Sequence, residues 1–199
     1  MNEERTEQTS KQTRNQANEE RGLMTQKNNV VLIGMPGAGK STLGIVLAKI
    51  LGMNFVDADL LIQGQCDKTL QKIIDACGPD GFIEVENQVL SEIQESNSVI
   101  STGGSAVYSE AAMKHLSEIG LVVYLQISFN ELKMRLSDLQ ERGVVLKGGM
   151  SMSLEDLYKE RQPLYEKYAE VTVDVNDLTI TAAARKVASV VEAWRAENQ

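Results

Sequence analysis

Apolar residues fall along this chain in short unbroken runs, separated by longer stretches in which they recur every three to four positions. The runs at 30–33, 54–57, 98–101, 121–125 and 171–175 have the length of strands. The stretch 41–51, apolar at 43, 46, 47, 50 and 51, has the spacing of an amphipathic helix. A stripe of Phe82, Val85, Glu86, Val89, Leu90 and Ile93 predicts a helix over 80–96, and 109–119, 128–140, 153–169 and 179–196 are further helix candidates. Strand and helix therefore alternate. With strands apolar on both faces, the alternation predicts an α/β fold: a parallel five-stranded sheet with helices on both faces, its ligands at the carboxyl ends of the strands.

Residues 1–28 break the pattern. They hold almost no apolar side chains and mix five glutamates with basic residues, so a disordered tail is expected ahead of one domain over 29–199. The glutamates argue against a transit peptide, and no apolar core of a signal peptide is present, so a cytoplasmic protein is expected. The tail's charges cancel, which leaves the net charge of -8 to the folded part. An acidic domain has no general attraction to nucleic acid or anionic lipid, and no apolar run has the length to cross a bilayer. The expected partner is a small molecule and the expected state a monomer. Cys66 and Cys77 lack metal-ligand spacing and read as reduced, small core hydrophobes, while His115 stands without a cluster of other ligands.

The chemistry begins directly after the first strand. Gly34-Met35-Pro36-Gly37-Ala38-Gly39-Lys40-Ser41 fits G-x-x-x-x-G-K-[ST] and opens the 41–51 helix, the context this nucleoside-triphosphate loop requires. Backbone N–H groups must crowd a triphosphate, and glycine permits that approach. Nucleotide contacts are expected from Gly37, Ala38, Gly39, Lys40, Ser41 and Thr42, with Lys40 on the β- and γ-phosphates and Ser41 on Mg²⁺.

No N-K-x-D base-reading motif follows, and no apolar strand ends in adjacent acids, so a kinase of a small substrate fits better than a GTPase or a ring ATPase. Asp57 and Asp59, read as alternate residues at a strand end, would point the same way. One would hold the Mg²⁺ water shell, and the other would orient an acceptor hydroxyl and take its proton. Acids at this spacing also serve as helix caps. Gly103 and Gly104 would admit a substrate to the sheet edge, or simply make a turn. The segment 140–153 brackets Arg142 and Lys147 with Gly143, Gly148 and Gly149, the composition of a mobile lid or of a flexible connection.

Taken together, GMPGAGKST, the VDAD that ends at Asp59, TGGSAV at 102–107, VVYL at 122–125 and RQPLYEKYA from Arg161 resemble the shikimate kinases over residues 29 to about 195. The resemblance implies a P-loop kinase fold and ATP-dependent, Mg²⁺-assisted phosphorylation of a shikimate hydroxyl, a step in aromatic amino acid biosynthesis. It also implies that Arg161 binds the substrate carboxylate, that Asp59 binds its hydroxyls, and that Gly103 and Gly104 contact the same substrate. Arg142 matches the phosphate-clamping lid arginine, which makes Lys40, Asp59 and Arg142 the expected catalytic set. Away from the resemblance, Arg161 also reads as a surface ion-pair residue beside Glu160. The chain departs from the family where Ile83 replaces the arginine of Phe-Arg-x-x-Glu, where Ser105 replaces a third glycine, and where Arg142-Gly143-Val144 replaces an Arg-Pro-Leu run. These departures leave two other readings, a related kinase of a different hydroxylated metabolite and a non-catalytic nucleotide-responsive module.

Overall fold

A computed structural model describes residues 27–137 and 152–198. Five strands form one parallel sheet: β1 (Asn29–Ile33), β2 (Asn54–Asp57), β3 (Ser98–Ser101), β4 (Gly120–Gln126) and β5 (Val171–Asp174), in the order β2-β3-β1-β4-β5. The central strand β1 is wholly buried, as its unbroken NVVLI requires. Helices α1 (Lys40–Leu51) and α7 (Ile180–Glu197) pack together, as do α3 (Leu70–Ser91) and α4 (Glu110–Ile119). Right-handed crossovers place these two pairs on opposite faces of the sheet. The remaining helices are α2 (Ala58–Cys66), α5 (Phe129–Ser137) and α6 (Leu154–Tyr168).

The two neighbours of β1 are reached through connections that run in opposite directions, which makes the carboxyl end of β1 a topological switch point. The glycine-rich loop lies there. Register puts Leu32 beside Ser101 and Ser101 beside Asp57, so the loop, the end of β3 and the end of β2 meet on one rim.

Several elements differ from the sequence reading. Helix α2 is absent from the helix candidates, but the cap reading of the D-x-D holds for Asp57: its carboxylate accepts from the Asp59 N–H at 3.0 Å and caps a helix that starts at Ala58. Asp59 therefore leaves a first helical turn, and strand alternation does not set its direction. Helix α3 begins ten residues before the expected start and ends five before the expected end. Gly78 at φ 74 and Pro79 kink it, and such a pair in sequence reads as a break. Cys77 is exposed and Cys66 only partly buried, so neither is the fully buried core residue expected. His115 hydrogen-bonds the Ile93 carbonyl, and Trp194 packs against the core. Lys27, placed in the expected tail, pairs with Glu170 at 2.7 Å. The expected lid, Arg142 included, lies outside the described residues except for Met152 and Ser153, and Ser153 caps α6 in a capping box with Asp156. No described helix is long and apolar enough to cross a membrane.

Candidate active site

Between the loop and the ends of β2 and β3 lies a cleft of about 300 Å³. Its nucleotide side is built from Gly37, Gly39, Lys40, Ser41 and Thr42. Gly39, at φ 92, caps α1 in a left-handed conformation that an L side chain would strain, and this turn aims the start of the helix into the cleft. Ala38 is buried and its N–H donates to the Met35 carbonyl at 3.1 Å, so it shapes the loop without lining the cleft. Ser41 is exposed, and its Oγ lies 3.2 Å from the Oγ of Ser101.

Lys40 is only 7% exposed. Its Nζ donates to the carbonyls of Gly34 and Met35 at 2.7 and 3.1 Å, so the ammonium bends back onto its own loop. Burial pulls its pKa down to about 8, with the Asp59 carboxylate opposing the shift and Arg161 adding to it. A cation held this way has an incentive to meet polyanionic oxygens. Asp59 lines the cleft beside it, its carboxyl pushed above the ordinary range first by burial and then by the Asp57 charge, with Lys40 opposing. Asp57 itself does not line the cleft, because one of its oxygens is committed to the cap of α2. Of the two acids, then, Asp59 lines the cleft, while Asp57, at the end of β2, caps α2 with one oxygen and has the other outside that bond.

Arg161 does not have the exposed position that a surface ion-pair residue would have. It is 1% exposed and lines the cleft. Leu157, Arg161 and Tyr165 lie one turn apart along α6 and form its buried face. Tyr165 stacks on Tyr124 and donates to the Gly104 carbonyl at 2.7 Å, which fixes the helix against the glycine pair. Arg161 Nε donates to Tyr108 Oη at 3.1 Å, and the guanidinium lies over that ring, 5.0 Å from its centroid. These contacts with Tyr108 fix the orientation of the guanidinium at the cleft. Gly103 and Gly104 complete the rim, while the amide and hydroxyl of Thr102 are tied to the Leu32 carbonyl.

The structure thus gathers Gly37, Gly39, Lys40, Ser41, Thr42, Asp59, Gly103, Gly104 and Arg161 around one cleft. Two neighbours were missed. Ser101 gave no signal as a serine inside a short strand, whereas Glu86 was visible as an acid inside an otherwise apolar helical stripe. Phe82 and Glu86 line the cleft, and Ile83 between them does not.

A glycine-rich phosphate loop at the switch point of a parallel sheet, with an acid and a buried arginine facing it across a small cleft, defines a P-loop kinase of small molecules. The sequence profile described as shikimate kinase matches residues 36–192, and the chain belongs to that family. It is 36% identical over 171 residues to a shikimate kinase of Pasteurella multocida, covering 85% of this chain and 98% of that protein. A solved shikimate kinase from Acinetobacter baumannii, in complex with shikimate, superposes with a TM-score of 0.76 at 30% identity, over 86% of this chain and 97% of that one. A sugar kinase from Janibacter shares the fold at 16% identity and a TM-score of 0.57.

Proposed function

We propose that this protein transfers the terminal phosphoryl group of ATP to a hydroxyl of shikimate, in the cytoplasm and as a step toward the aromatic amino acids. The observation that carries this reading is the buried Arg161 guanidinium in the same small cleft as Asp59 and the phosphate loop. The loop amides and Lys40 hold the β- and γ-phosphates, and Thr42 and Gly37 flank them. Arg161 grips the acceptor carboxylate by paired hydrogen bonds. Asp59 orients the acceptor hydroxyl toward the phosphate and takes its proton. Transfer through a loose transition state needs alignment and charge stabilisation more than a strong base, which suits one acid between two cations. Arg142 is proposed as the lid arginine that completes the clamp.

Ser41 and Asp57 fit a Mg²⁺ ion of the kind that takes one or two protein ligands plus phosphate oxygens and water, with Ser41 direct and Asp57 through the water shell. Bound there, the ion would neutralise charge on the transferred group.

The test is an acceptor panel with purified protein and Mg-ATP, read by identification of the product. Phosphorylated shikimate is expected, and phosphorylation of another hydroxy compound with shikimate untouched would sink the reading. Arg161→Lys keeps the charge but loses the fork, so the KM for shikimate is expected to rise roughly tenfold or more while the KM for ATP stays within about twofold. Steady-state kinetics with each substrate varied in turn measure this.

A further inference from the structure

Tyr108 does not line the cleft, yet it holds a group that does. It ends a single turn of 3-10 helix, Ala106–Tyr108, which follows the glycine pair and packs against α6. Its half-buried ring lies under the Arg161 guanidinium, and its Oη accepts from Arg161 Nε. The other end of the guanidinium is turned inward. A Cβ added to Gly104, on the rim of the cleft, would lie 2.9 Å from Arg161 Nη1, so Nη1 sits over the glycine pair while Nε is held at Tyr108, outside the cleft lining.

The chemistry of a phenol suits this place. A phenolic oxygen accepts from one neighbour and donates its single proton to another. Here it accepts from Arg161, and Glu160, the preceding residue of α6, is hydrogen-bonded to the same phenol. Burial raises the Tyr108 pKa, the Arg161 bond and charge oppose the rise, and the Glu160 bond and charge add to it, so the phenol stays neutral near pH 7. A neutral group thus steadies Arg161 on its Nε side. A carboxylate against the guanidinium would form a bidentate pair and compete with an anionic ligand, whereas a phenol takes up Nε and one ring face and leaves the charge in place.

We propose that Tyr108 is a positioning residue for acceptor binding: by holding Arg161 Nε it aims the Nη end of the guanidinium at the carboxylate of the bound hydroxy acid, and so sets the affinity for an acceptor it does not touch. This rests on the reading of Arg161 as the group that grips that carboxylate. A long side chain loses rotamer freedom when it is fixed by a ligand, and a guanidinium held in place beforehand relieves the acceptor of that ordering cost.

The experiment is a double-mutant cycle on the full chain, with wild type, Tyr108→Phe, Arg161→Lys and the double variant each assayed with shikimate and then ATP varied. Tyr108→Phe keeps the ring and loses the oxygen, so its shikimate KM is expected to rise about fivefold while kcat and the ATP KM stay within about twofold. Its melting temperature should match that of wild type. Added to Arg161→Lys, the same change should raise the shikimate KM by less than about twofold, because Tyr108 acts only through the arginine fork. An unchanged shikimate KM in Tyr108→Phe, single effects that multiply in the double variant, or a rise accompanied by a lower melting temperature and a raised ATP KM would overturn the proposal. An unchanged shikimate KM in Arg161→Lys would remove the carboxylate grip, and the proposal with it. If another hydroxy acid is phosphorylated in place of shikimate, the proposed function fails while the same cycle, run on that acid, still decides Tyr108. If no hydroxy acid is phosphorylated, both fail.

Discussion

Replacement of Lys40 by Met is expected to lower kcat/KM for ATP by roughly a thousandfold or more, because the variant loses a buried ammonium beside the phosphate loop. The same change should leave the protein at least as stable at pH 7. The folded pKa of Lys40, about 8, lies below its ordinary 10.5, so the folded state disfavours the charged form. Any stability gained from this shift is present above pH 10.5 and lost as pH falls through 8. Wild type should therefore gain stability relative to Lys40→Met as pH rises through that interval. Melting curves at pH 7 and 9.5, set beside steady-state kinetics, separate the two effects. Near-normal turnover in Lys40→Met would remove Lys40 from the chemistry.

Asp59→Asn is the second large effect. Loss of the proton acceptor and hydroxyl positioner is expected to reduce kcat by roughly 10² to 10⁴ while ADP binding, measured by calorimetry, changes little. Because burial and Asp57 raise the Asp59 pKa, the acid limb of the kcat profile should lie above the ordinary carboxylate range and vanish in the variant. A nucleotide-responsive module without an acceptor would show no such dependence.

The phosphate loop was legible from sequence because its requirements are local: glycines at fixed offsets, a strand before and a helix after. The sheet was legible for a related reason, since strands buried on both faces leave unbroken apolar runs. The direction of Asp59 was not. A strand that gives way to a helix through a single capping contact, Asp57 to the Asp59 N–H, leaves a D-x-D that reads equally well as strand alternation. The early start of α3 was hidden by Gly78 and Pro79, which terminate most helices and here only bend one.

Arg161 shows a different limit. Helix α6 is polar over most of its surface, and nothing in its periodicity says that the arginine, set between Leu157 and Tyr165 on one face, points inward. Only tertiary contacts establish that, through Tyr108 and the Tyr165 bond to Gly104. Glu86 was half visible, because an acid on an apolar stripe is a signal, but its place in the cleft with Asp59 and Arg161 is set by the fold. Ile83, which stands where the family pattern has an arginine, does not line the cleft, whereas Arg161 does.

A crystal structure with Mg-ADP and shikimate tests the account most directly. It should show the β-phosphate cradled by the amides of residues 37–42, with Lys40 Nζ released from the Gly34 and Met35 carbonyls onto it, and a shikimate hydroxyl within hydrogen-bond distance of Asp59. A diphosphate bound away from that loop, or an acceptor with no oxygen near Asp59, would contradict it.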